Sequence, residues 1–275
     1  ANNEYAILCN QLSTLYMQMG KYDQVETLLK KSEKIYKSKF TEESPAFAKV
    51  QNDLGTFYRV QKRFPEAETT LKKALDIRQR TLGENHPDYV KSLENMGILY
   101  WKMGDLSKAY PLLKEAMQKS LNFIHSYFPP MSEAEKTKYW DVLQPRFQRF
   151  YNYAIEASAA SPAILEDVYD YQIATKALLL NSTNKIKKSI LASGNKSLIS
   201  DYLSWIGQKE MLARYYALSK EELAQQKIDL AALEKQANDM ERSLSARSAD
   251  FSQGYSAAEI TFKQVKAQLL PTEAL

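Results

Sequence analysis

The chain repeats itself every 42 residues over roughly its first half, and this period constrains its fold more than any other feature. Tyr16, Tyr58 and Tyr100 fall in register, as do Leu12, Leu54 and Met96; Tyr22, Phe64 and Leu106; Val25, Ala67 and Ala109; Leu29, Leu71 and Leu113; and Ser32, Ala74 and Ala116. Pro45, Pro87 and Pro129 obey the same shift. A fixed period of this length marks stacked supersecondary units, none of which can bury its apolar face alone. A generic amphipathic bundle gives no reason for such a register.

Each unit reads as a pair of helices. In the third, Leu93, Met96 and Tyr100 share one face at spacings of 3 and 4. Gly104-Asp105 supplies the turn, and Ala109, Leu112, Leu113 and Ala116 form the stripe of the second helix. Ser44-Pro45 reads as an N-cap followed by proline in the first turn, where a missing N–H costs nothing. Ser13, Gly55 and Gly97 allow close approach to each first helix, and the periodic tyrosines fill the space between helices. Tyr36 stands outside the shared set, so its loss is expected to cost less than that of Tyr58.

Composition excludes the main alternatives. Eight glycines and 9 prolines in 275 residues are too few for the turns of a sheet protein. No two glycines lie closer than Gly97 and Gly104, so glycine-rich phosphate loops are excluded. Cys9, His86 and His125 are the only soft ligands, which argues against structural zinc and rules out an internal disulfide. A net charge of +4, well dispersed, does not suggest nucleic acid. No apolar run approaches the roughly 20 residues of a membrane span. The start, Ala-Asn-Asn-Glu, reads as a piece of a longer or processed protein; the cytoplasm is favoured over the periplasm, with neither excluded.

Past Pro129-Pro130 the period fails, but helical signals continue. Ser132 and Glu135 form a capping box ahead of an aromatic stretch through Trp140, Phe147, Phe150, Tyr151 and Tyr153, expected to kink at Pro145. Ser161-Pro162 opens a helix carrying Val168, Tyr171, Ala174 and Leu178. These helices are expected to cap the open end of the stack. Leu198, Tyr202, Trp205, Leu212 and Tyr216 then form a seam. A second capping box, Ser219 to Glu222, is expected to start one helix running through Leu230, Leu233, Ala237, Met240, Leu244, Arg247 and Phe251. The two make an antiparallel hairpin on the order of 30 Å long. A last helix is expected near Ala257 to Leu269. The prediction is all-α: three units over 1–130, capping and connector helices over 131–195, and a hairpin with a final helix over 196–275.

Leu54-Gly55-x-x-Tyr58, Phe64-Pro65-Glu66-Ala67-Glu68, Leu71-x-x-Ala74-Leu75 and Leu82-Gly83-Glu84-Asn85-His86-Pro87 resemble the tetratricopeptide repeat in its long-helix, kinesin-light-chain-like form. Val25 and Ser32 depart from it, standing where alanines are usual. The resemblance implies a right-handed α-solenoid that binds a peptide or protein along its concave face. Lys176 to Ser182, Leu233 to Ser248 and Val265 to Ala274 are similar to the connector of bacterial repeat proteins that carry a caspase-like CHAT domain. That likeness implies a downstream catalytic domain, absent from this sequence, and a sensing role for this arm.

Catalysis within these residues is not expected. Cys9 reads as a small buried thiol, and His86 as a loop or capping residue. Glu42-Glu43 and Glu221-Glu222 suit helix starts, where carboxylates meet the positive end of the dipole. The candidate site is the face of successive first helices: Ile7, Asn10, Thr14 and Met17; Lys49, Asn52, Thr56 and Arg59; then Lys91, Glu94, Ile98, Trp101 and Lys102. Unpaired cations cannot be core, so the face is expected to be solvent-accessible and to suit an acidic peptide, with Lys49, Asn52, Arg59, Lys91, Ile98, Trp101 and Lys102 as contacts. No cofactor or metal is implied. The expected function is a non-enzymatic interaction and regulatory module, either the sensor arm of a CHAT-family protease or a free-standing scaffold.

Overall fold

A computed structural model of the chain describes residues 2–39, 42–128, 131–176, 187–216, 218, 220–247 and 261–269. Among them every regular element is a helix. The chain divides into two compact units, Ala1–Ser120 and Leu121–Leu275.

The first unit is the repeat region. Helices α1 (Asn2–Gln18) and α2 (Val25–Lys39) form one pair, α3 (Pro45–Val60) and α4 (Phe64–Leu82) the next. Then come α5 (Pro87–Lys102) and α6 (Leu106–Tyr127), the latter running past the boundary of the unit. The caps are those the sequence specifies. The Phe47 N–H donates to Ser44 Oγ (3.2 Å) ahead of Pro45. The Asp88 N–H donates to His86 Nδ1 (3.1 Å) ahead of Pro87, so His86 is a cap.

The turn inside each pair is one structure used three times. The Lys21, Arg63 and Asp105 N–H groups each reach back five residues, to the Tyr16, Tyr58 and Tyr100 carbonyls, at 2.8–2.9 Å. The residue before each takes a left-handed φ: Gly20 at 69°, Lys62 at 58° and Gly104 at 82°. Such a helix end favours glycine, and the second helix pair makes it with lysine.

The small residues act as spacers. A Cβ added at Gly55 would lie 2.5 Å from Leu71 Cγ, and one at Gly97 would lie 2.8 Å from Leu113 Cγ. Ala67, Leu71, Ala74, Val25, Ala109 and Ala116 are buried, and Val25, Ala67 and Leu71 join Leu54, Phe57 and Tyr58 in one apolar core. Tyr36 belongs to that core at 7% exposure, against the expectation that it lay outside the shared set. Its register partners Arg78 and Ser120 are buried too. The position is periodic in burial while its chemistry changes, which hides it from a comparison of residue types.

The second unit holds α7 (Glu133–Ala157), opened by the Ser132–Glu135 capping box and continuous through Pro145, and α8 (Ile164–Thr175). Phe147, Phe150 and Tyr171 pack edge to face at their junction. After a short helical stretch over residues 187–192, α9 (Lys196–Tyr215) pairs with α11 (Leu230–Arg247). Bonds from Tyr216 Oη to Glu234 and from Arg247 to Asp201 show that the two run antiparallel. The expected seam is buried at Leu198, Tyr202, Trp205, Leu212 and Leu244, but the Tyr216 ring is exposed.

The second arm is not one helix. A six-residue α10 (Lys220–Gln225) is followed by Lys227, which takes φ 55°, and Asp229 Oδ1 then accepts from the Ala232 N–H (3.0 Å) to start α11 afresh. Asp229 competes for the backbone just where a continuous helix would have run, which is what short acceptor side chains do best. The last described helix, α12, spans Phe262–Lys266 behind a Thr261 cap, and residues 257–260, where the final helix is expected to begin, lie outside the described residues. Pro129, Leu178, Ser219 and Phe251, the connector from Ala177 to Ser182 and the closing residues from Leu270 lie outside the described residues.

Candidate functional site

The first helices α1, α3 and α5 lie side by side, and their register brings the expected site residues onto neighbouring elements. The structure divides those residues into two kinds.

Lys49, Lys91 and Lys102 are exposed and Arg59 is half-buried, as expected of an open face. Asn52, Ile98 and Trp101 are buried, against that expectation. Asn52 is spent on structure: its Oδ1 accepts from Asn95 Nδ2 (2.9 Å) and from Ser92 Oγ (3.2 Å) in the next unit. One unit earlier, Asn10 Nδ2 donates to Asp53 Oδ2 (2.8 Å). Asn10 matches Asn52 and Asp53 matches Asn95, so the same pair of positions is bonded twice, with the donor on the earlier helix in the first case and on the later helix in the second. The bond pins the register of the first helices, since a buried amide left unpaired is costly. Ile98 is apolar and follows the ordinary preference for burial. Trp101 keeps 9% exposure, with Lys102 Nζ 4.0 Å from its ring centroid. Lys49 Nζ lies 3.0 Å from Asp53 Oδ2, which offsets part of its charge. Buried Arg78 donates to the Asp88 carbonyl (2.8 Å) and to Ser92 Oγ (2.7 Å), extending the polar network inward. Asp53, Arg78, Ser92 and Asn95 were not singled out in the sequence; for Asp53 and Asn95 the available signal was their shared register.

A second periodic device joins each second helix to the first helix after it. Tyr58 Oη donates to Glu26 Oε1 (3.1 Å), and Arg63 Nη1 pairs with Glu26 Oε2 (2.7 Å). One period later Tyr100 Oη donates to Glu68 Oε1 (2.7 Å). Burial opposes the charge on Glu26, but its contacts with Lys30, Arg63 and Tyr58 outweigh that and hold its pKa below the usual carboxylate value. Burial, together with the bond to Glu68, pushes Tyr100 up to about 12. Glu42 likewise serves as an ion-pair partner, to Lys37 (2.6 Å) and Lys73 (2.5 Å), while Glu43 pairs with Arg80 (2.6 Å).

In the second unit the hairpin clasps the start of α7. Glu241 Oε1 accepts from the Glu133 N–H (2.8 Å), Arg242 pairs with Glu135, and Lys209 lies 3.5 Å from Glu133. Lys136 is 1% exposed; burial brings its pKa down to about 8, and burial raises that of Glu241.

Cys9 is buried at 3% exposure. Among the described residues no group of three or more His, Cys, Asp or Glu could hold a metal ion, and no helix is long and apolar enough to cross a membrane.

Residues 46–119 match the tetratricopeptide repeat family, in agreement with the helix pairs and their period. Residues 46–119 are thus tetratricopeptide repeats, which indicate a protein–protein interaction module. BtubC (BKLC) from P. vanneervenii is a similar solved structure, at 22% identity over 65% of this chain and with a TM-score of 0.48. The match spans 64% of that protein's chain. No curated protein matches the sequence.

Proposed function

We propose that the chain is a non-catalytic regulatory arm whose row of first helices binds an acidic peptide segment of a partner protein. The observation behind this reading is the placement of Lys49 and Arg59 on α3 and of Lys91 and Lys102 on the adjacent α5, with the lysines exposed and the arginine half-buried. Cations on parallel rigid helices suit an extended acidic chain, because their spacing is fixed before the ligand arrives. Asn52 and Ile98 support the face from beneath, and Trp101 offers only its rim. The second unit, in this reading, passes the binding event to a downstream CHAT-like protease domain. The connector motifs support that assignment; a free-standing scaffold is the alternative, and a chain that continues without such a domain would favour it.

A fluorescein-labelled peptide with acidic residues at alternate positions tests the groove. Lys91→Glu with Lys102→Glu should weaken its binding at least tenfold, because attraction becomes like-charge repulsion. The urea midpoint should hardly move, since exposed charges add little to folding. Raising salt should weaken binding to the unaltered protein in parallel, through screening over about 10 Å. Equal affinity before and after charge reversal places the peptide elsewhere.

A further inference from the structure

Helix α1 carries an apolar stripe that the repeat's own geometry explains. Tyr5, Leu8, Leu12 and Leu15 follow one another at spacings of 3 and 4, so they share one face, and they are 48, 60, 38 and 49% exposed. Four large apolar side chains in a row are a contiguous patch of the kind that marks an interaction site.

Their register partners behave in the opposite way. Phe47 and Tyr89 match Tyr5, Val50 and Ser92 match Leu8, Leu54 and Met96 match Leu12, and Phe57 and Leu99 match Leu15. All eight are buried, none above 6% exposure. The same four positions are therefore exposed once and covered twice. In both later units the neighbouring second helix comes from the pair before: α2 packs on α3, and α4 on α5.

The glutamate clamp supplies an independent argument. Glu26 at the start of α2 is held by Tyr58 and Arg63, and Glu68 in the first turns of α4 by Tyr100. Tyr16 and Lys21 stand at the register of Tyr58 and Arg63. The glutamate that would complete their clamp belongs one period before Glu26.

We infer that α1 is an inner helix of a longer array, and that its stripe seats the second helix of a further tetratricopeptide unit upstream in the same polypeptide. The occupant's chemistry follows from α2 and α4: an amphipathic helix whose first turns carry a small apolar residue followed by glutamate, as Val25-Glu26 and Ala67-Glu68 do. The two interfaces of this type already in the fold are both made by the preceding helix of the same chain, which decides the source.

The coding sequence ahead of Ala1 gives the first test. It should encode a helix pair in the 42-residue register, with glutamate one period before Glu26; a chain that begins at Ala1, or lacks that pattern, overturns the proposal. The face itself is tested by joining a copy of residues 43–84 directly ahead of Ala1, which preserves the register, and following amide hydrogen exchange in α1. Protection of α1 should rise at least tenfold, and should fall back when Leu8→Lys and Leu12→Lys are introduced. Unchanged protection refutes the seat. Sedimentation of residues 1–275 completes the set: a monomer is expected, whereas a dimer dispersed by the same two lysines would make a second copy the occupant and overturn the assignment. None of these readouts depends on what the groove binds.

Discussion

Replacing Gly55 by alanine sets two known effects against each other, and the structure decides the sign. In an unencumbered helix interior the change stabilises by about 0.8–1 kcal/mol, because glycine has more backbone freedom to lose. Gly207 in α9 is such a site, with nothing within 4 Å of an added Cβ, and Gly207→Ala should show that gain. At Gly55 the new Cβ would stand 2.5 Å from Leu71 Cγ, 2.8 Å from Leu71 Cδ2 and 2.8 Å from Thr70 Oγ1. Leu71 is fully buried and has no free direction in which to turn. Helices α3 and α4 must move apart, and forcing an extra carbon into a packed core costs about 1–3 kcal/mol. The net expectation is a loss of about 1 kcal/mol. A double-mutant cycle sharpens it. With Leu71→Ala the two leucine contacts are gone and only the Thr70 hydroxyl remains close, so Gly55→Ala should there cost less or become stabilising, giving a coupling of about 1–3 kcal/mol between two residues in contact. Urea unfolding followed by circular dichroism measures all four proteins. If Gly55→Ala stabilises in both backgrounds by as much as Gly207→Ala, the close approach of α3 and α4 is wrong.

Two further outcomes are expected. Lys62→Gly should stabilise by about 0.5–1 kcal/mol in the same urea assay, because φ 58° strains a side-chain-bearing residue and its register partners Gly20 and Gly104 already have the freedom the turn requires. Lys136 should make stability rise with pH between about 8 and 10.5: burial lowers its folded pKa from 10.5 to about 8, so the folded chain sheds the proton before the unfolded one and the cost of the buried charge disappears as pH climbs. The full swing would be about 3 kcal/mol at 1.36 kcal/mol per unit, and Lys136→Met should flatten this part of the stability curve.

The sequence by itself determined the architecture of the first unit. Period, turn glycines, Ser44 and His86 ahead of proline, and the spacer residues Gly55 and Gly97 all act locally or through fixed register. Their consequences could therefore be read without coordinates. The same holds for the Ser132–Glu135 box, since a cap is settled within one helical turn. The second arm of the hairpin was misjudged because Asp229 and the left-handed Lys227 leave the heptad pattern intact while stopping the helix. The candidate groove was legible only in part. Lysine positions announce exposure, and Lys49, Lys91 and Lys102 are indeed exposed, but Asn52 could equally have faced water. Its burial depends on Ser92 and Asn95 arriving from the next unit, some 40 residues away in sequence. A polar side chain's partner is a property of packing, not of spacing along the chain. For that reason only the tertiary structure separated the residues that hold the helices in register from those left exposed on the face of the first helices.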